Sequence, residues 1–289
     1  MYEFLIAPFV DYVFLQRALA GSIMLCLSSG PVGVFLMLRR MSLTGDALAH
    51  GILPGAAVAF LFFGLDLAPM TLGGLIAGLL LALLAGAVSR LTLQKEDASL
   101  AAFYLISLSA GVLIVSMHGS NIDLMHILFG TVLALNDQAL MLIAGIFVLS
   151  TVGLALFWRG LVAECLDPLF FRSVSRLGTP IHFAFLFLVV LNLVGGFQAL
   201  GTLLSVGLMM LPAASARFWV NRVGPMCALA VAFGMVSSVA GLLLSYHAAL
   251  PTGPAIILFC GAIYALSILG APRGILLTHL RRTRPHRAA

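Results

Sequence analysis

The chain has 289 residues, 62% hydrophobic and only 9% charged, with a mean hydropathy of +1.16. A soluble domain carries about 25% charged residues, so this composition excludes an ordinary water-soluble protein and indicates a polytopic, all-α transmembrane bundle. The net charge of +5 is no nucleic-acid signature: five of the fifteen Lys and Arg lie after residue 272, and the others stand singly or in pairs between apolar runs.

The first fifteen residues are acidic (Glu3, Asp11) where a secretory signal would be basic, and no cleavage site follows. Their mix of aromatic and aliphatic residues suits a helix at the membrane interface. A helical crossing needs roughly 20 mostly apolar residues. Runs of that kind fall at 16–38, 47–64, 70–90, 98–117, 138–158, 180–198, 200–216, 223–246 and 252–271. The second starts beside Asp46 and reads as tilted or partly broken. The seventh is short and rich in Gly and Met.

Nine spans with the N-terminus outside put fourteen of the fifteen basic residues in cytoplasmic stretches, leaving only Arg17 outside. An eight-span count, merging two weaker segments, is the alternative. Residues 118–137 form the longest external connection and read as a short amphipathic or re-entrant helix. Residues 159–179 form the longest cytoplasmic one, and 272–289 a basic tail suited to anionic lipid. The whole of 1–289 is thus one transmembrane domain. Gly51 with Gly55, and Gly74 with Gly78, are GxxxG pairs that allow close helix contact. Cys26, Cys165, Cys227 and Cys260 are isolated and read as apolar filler rather than a disulfide frame or a zinc knuckle.

Polar residues at membrane depth are costly and usually face a bundle interior with a partner. Asp46 reads as the one carboxylate in that position, and His50 would share its helical face one turn on. A carboxylate and an imidazole suit Zn²⁺, Mn²⁺ or Fe²⁺, with further ligands needed from other spans. A structural Asp–His hydrogen bond, or Asp46 as N-cap of a helix beginning at residue 47, accounts for the same residues. His247 stands at the outer end of the eighth span, before a turn forced by Pro251, Gly253 and Pro254. It reads either as a metal ligand in an outer vestibule or as an interfacial histidine. His118, Asp123 and His126 near the same face would guide a cation or form a polar loop.

Residues 162–178, VAECLDPLFFRSVSRLG, alternate apolar and charged residues as a short surface helix or a linker would. No GxxxxGK[ST] occurs, so ATP is not bound by a P-loop in this chain. Energy for active transport would come from a partner or from an ion gradient.

Four blocks carry a family resemblance: RRMSLTGDALAHGILPG (39–55), LDPLFFRSVSRLG (166–178), ALGTLLSVGLMMLPAASARFW (199–219) and SYHAALPTGPAIIL (245–258). Together they resemble the permease subunit of bacterial ABC importers for zinc, manganese and iron. The resemblance implies an inner-membrane permease with no bond-breaking chemistry and no permanently bound cofactor. It also implies a second copy of the permease, two ATP-binding cassette subunits docking at 162–178, and a periplasmic metal-binding protein. Its metal contacts map to Asp46 and His50. One departure is Ala249, where members of the family often carry an acidic residue two before the proline. His247 as a substitute ligand would favour zinc over manganese or iron. Pro212, Ala213 and Ala214 of the third block read as a flexing segment or a static kink. A gradient-driven cation transporter using Asp46 for its coupling ion, a vitamin or siderophore permease, and a structural scaffold are the competing readings.

Overall fold

The computed structural model describes residues 7–64, 66–117, 135–166, 171, 175 and 177–275, and among these it forms helices and no strand. A bilayer interior offers no water to the backbone, so a helix, which satisfies its own N–H and C=O groups, is the available solution for such apolar runs. The helices are α1 (Ala7–Asp11), α2 (Val13–Leu38), α3 (Ser42–Gly51), α4 (Leu53–Phe63), α5 (Leu67–Leu91), α6 (Glu96–Met117), α7 (Asp137–Leu166), α8 (Gly178–Leu200), α9 (Thr202–Arg217), α10 (Val223–Ala248) and α11 (Thr252–Gly270).

With α3 and α4 taken together, 8 of these are long and apolar enough to cross a membrane, and the 16-residue α9 is a shorter ninth. Each of the nine apolar runs read from the sequence therefore meets a helix. The largest shift in a boundary is in α7, which continues to Leu166 and takes in residues 162–166 of the segment expected to dock a partner. Residues 167–170, 172–174 and 176 of that segment lie outside the described residues, as do His118, Asp123, His126 and the tail from residue 276.

The second span is interrupted, as its sequence suggested. Ile52 (φ −73°, ψ −30°) joins α3 to α4 without leaving helical space. Pro54, in the first turn of α4, lacks the N–H that a continuous helix would use. By contrast, Asp46 caps nothing: α3 begins at Ser42, and Asp46 sits inside it.

Close packing is set by small residues, because lipid is as apolar as a leucine side chain and supplies little drive for helices to associate. The α9 helix lies in the middle of the bundle, against α2, α3, α8, α10 and α11. It fits because α2 presents Gly33 and α3 presents Gly45 to Met209. Similarly, Gly55 of α4 meets Gly73 of α5 backbone to backbone. Gly74 packs on Ile52 and Gly78 on Val190, so both glycine pairs found in the sequence sit at helix contacts. Phe35, Leu48, Ile52, Phe185, Val189, Val190 and Met209 form the centre of the largest core cluster. Outward rows such as Leu72, Ile76 and Leu80 on α5, or Val148, Val152 and Leu156 on α7, are exposed at four-residue spacing and form lipid-facing stripes. Three of the four cysteines are buried, Cys165 is half-buried, and all four are free.

Charge separates to the two ends of the bundle. Arg17 Nη2 pairs with Asp137 Oδ1 at 2.8 Å, tying the start of α2 to the start of α7. At the opposite end Arg217 and Arg273 line a cavity of about 700 Å³ together with Met37 and Leu38 from the end of α2. Arg39 lies at that same end of α2.

Candidate functional site

The site begins with the corner that launches α3. The N–H of Arg40 donates to Met37 O (3.1 Å) and that of Met41 to Leu36 O (2.9 Å), the paired bonds of a Schellman turn. Its left-handed position normally holds glycine but here holds Arg40, at φ 60°. The turn sends α3 back against α6, α8 and α9.

On α3, Asp46 and His50 point the same way, as the four-residue spacing predicted. His50 Nε2 lies 3.6 Å from Asp46 Oδ1. That is an ion-pair separation, slightly longer than a hydrogen bond, and Asp46 does not act as a helix cap. The Asp46 side chain is 62% exposed and that of His50 33% exposed. The His50 ring leans on Tyr104 of α6, with centroids 6.4 Å apart.

Both residues line a small cavity of about 200 Å³ with Ala49 of α3, Thr202, Leu203, Val206 and Gly207 of α9, and Ile257 of α11. Gly207 leaves room beside Ile257, where a Cβ would meet that side chain at 2.9 Å. The lining thus offers one carboxylate, one imidazole and the Thr202 hydroxyl, in an otherwise apolar wall. Among the described residues no three His, Cys, Asp or Glu gather into a metal-sized group. Of those four residue types this lining supplies Asp46 and His50.

His247 is elsewhere. It is exposed near the C-terminus of α10, its Nδ1 is 2.9 Å from Leu243 O, and its ring packs edge-on against Tyr246. It is not among the residues lining the Asp46–His50 cavity. Ala249 follows in the left-handed region (φ 50°, ψ 39°), ending α10, while Ser245 Oγ donates to Leu250 O at 2.7 Å and shapes the turn.

One carboxylate escaped the sequence reading. Asp46 reads from the sequence as the carboxylate at membrane depth; among the described residues the carboxylate enclosed by protein is Glu164, whose side chain is 3% exposed. It pairs with Arg39 Nη2 at 2.7 Å, beside His182 of α8. The signal was present: Ile143, Ile146, Ser150, Leu154 and Leu161 form the buried face of α7, and Glu164 continues their three-to-four spacing. Ending the apolar run at residue 158 concealed it.

Residues 11–271 match the profile of the ABC 3 transport family. The chain is 33% identical over 274 residues to the manganese transport system membrane protein MntC of Halalkalibacterium halodurans, covering 94% of this chain and 92% of that one. It is 30% identical over 287 residues to the chelated iron transport system membrane protein YfeC of Yersinia pestis, covering 98% and 95%. Its structure superposes on PsaBC from Streptococcus pneumoniae, solved in complex with Fab, with a TM-score of 0.85, 30% identity, and coverage of 98% of this chain and 100% of that chain. A metal-chelate type ABC transporter in an inward-facing conformation shares the fold, at a TM-score of 0.71 and 16% identity. With a profile match across nearly all its spans and relatives at this identity and coverage, the chain belongs to the ABC 3 transport family, as a multi-pass, non-catalytic permease component.

Proposed function

We propose that this chain is the permease of an ATP-driven importer of divalent metal ions, with manganese as its cargo. The observation that carries the proposal is the Asp46–His50 pair on the wall of a cavity inside a membrane span. A carboxylate 62% exposed within a membrane-crossing helix is not a lipid-facing group. It faces water or another polar surface. A second copy of the chain, bringing the same pair to the same place, would supply two carboxylates and two imidazoles. Such a set suits a first-row divalent cation without the rigid thiolate cage that would retain it.

Manganese is favoured by the names of several relatives, and iron by one of them. Zinc drew its support from His247 as a substitute ligand, and His247 stands outside the cavity lining. In this reading the basic ends of α2, α9 and α11 face the cytoplasm. Two ATPase subunits dock around the α7–α8 connection, and a periplasmic metal-binding protein delivers the ion at the other face. The pair holds the ion briefly while the path alternates, and no residue here breaks a bond.

The experiment is metal uptake by proteoliposomes containing the chain with its ATPase and binding-protein partners, comparing manganese, iron and zinc. ATP-dependent manganese uptake, lost in Asp46→Ala and in His50→Ala with assembly intact, is expected. Full uptake in both variants would remove the pair from the path. Zinc uptake exceeding manganese uptake would overturn the cargo.

A further inference from the structure

The corner before α3 is fastened to the far end of α7 by charged groups that do not line the Asp46–His50 cavity. Arg39, the residue that caps the end of α2, has a side chain 6% exposed, and its Nη2 donates to Glu164 Oε2 at 2.7 Å. His182 Nδ1 lies 3.6 Å from Glu164 Oε1 and 3.5 Å from Arg39 Nη1. The guanidinium carbon sits 4.2 Å above the Phe185 ring. Arg39 Nε is buried with no hydrogen-bond partner. Stability alone gives little reason for such an arrangement, because a buried ion pair is often matched or bettered by apolar residues of similar volume.

Position gives a reason. Glu164 lies two residues before the end of α7, and His182 lies in the first turns of α8. They are the two roots of the α7–α8 connection. Arg39 immediately precedes Arg40, held at φ 60° in a turn that would normally use glycine. Strained backbone of this kind persists where its surroundings over-determine it, and such sites cluster at moving parts. Asp46 and His50 follow on the next helix, seven and eleven positions after Arg39.

We infer that Arg39, Glu164 and His182 form a latch through which movement of the α7–α8 connection sets the orientation of α3, and with it the reach of Asp46 and His50 to the cation. All three are positioning residues. The inference rests on the ATP-driven reading above and assigns the route by which the partner's work arrives at the metal pair.

The test measures metal taken up per ATP hydrolysed in the reconstituted complex. Arg39→Met with Glu164→Leu replaces the pair by apolar side chains, and Glu164→Gln removes the charge with almost no change of shape. The control is Arg17→Met with Asp137→Leu, which deletes the ion pair joining the same two helices at their other end. Both latch variants are expected to assemble and hydrolyse ATP while metal per ATP falls by about tenfold, within the usual range of coupling between sites. The control keeps the wild-type ratio. A ratio within threefold of wild type in whichever latch variant assembles would reduce the network to packing and overturn the inference. Failure of the wild-type complex to take up metal with ATP would instead refute the transport reading itself.

Discussion

Gly33 of α2 lies against the backbone of Met209 of α9 so closely that a Cβ at residue 33 would overlap the Met209 carbonyl. This contact lets the short α9 sit in the centre of the bundle and form one wall of the Asp46–His50 cavity. Gly33→Ala therefore forces two backbones apart, and overpacking of this kind costs about 1–3 kcal/mol. Thermal unfolding in detergent should show the loss. Gly145→Ala on α7, where a Cβ meets nothing within 4 Å, should be neutral or stabilising.

Removing Glu164 leaves the Arg39 guanidinium without its carboxylate in a site that is almost closed to solvent. Glu164→Ala alone should destabilise the chain by about 3–5 kcal/mol, whereas the double apolar replacement should recover most of that loss. A double-mutant comparison of unfolding midpoints reads this directly. Equal destabilisation by the single and double variants would contradict it.

Arg40 is exposed and pays the cost of a left-handed backbone that glycine would not. Arg40→Gly should stabilise the chain by about 1 kcal/mol, the order of the penalty on a residue with a Cβ. A lower unfolding midpoint in that variant would mean that the Arg40 side chain contributes more than its backbone loses.

His247→Ala is expected to leave manganese uptake within about threefold of wild type, since surface substitutions away from a site usually change little and His247 does not line the cavity. A loss as deep as that of His50→Ala would bring His247 onto the transport path.

Fold class was legible because it rests on local chemistry. The apolar runs near 20 residues, the basic residues between them and the glycine pairs are each readable without knowing a partner, and all nine runs became helices. The pairing of Asp46 with His50 was equally local, because helical spacing alone puts them on one face. What surrounds that pair was not readable. Thr202, Val206 and Ile257 come from helices more than 150 positions away, delivered by a contact between Gly33 and Met209 that no periodicity announces.

The chain by itself thus determined a helical membrane bundle, its span count to within one, and the shared helical face of Asp46 and His50. Only the tertiary structure decided which charges are enclosed. It left Asp46 exposed on a cavity wall, buried Glu164 against Arg39, and kept His247 apart from that cavity. The reason is physical. Helical periodicity tells which residues share a face, but burial depends on which other helix covers that face, and that is settled by packing between segments distant in the chain.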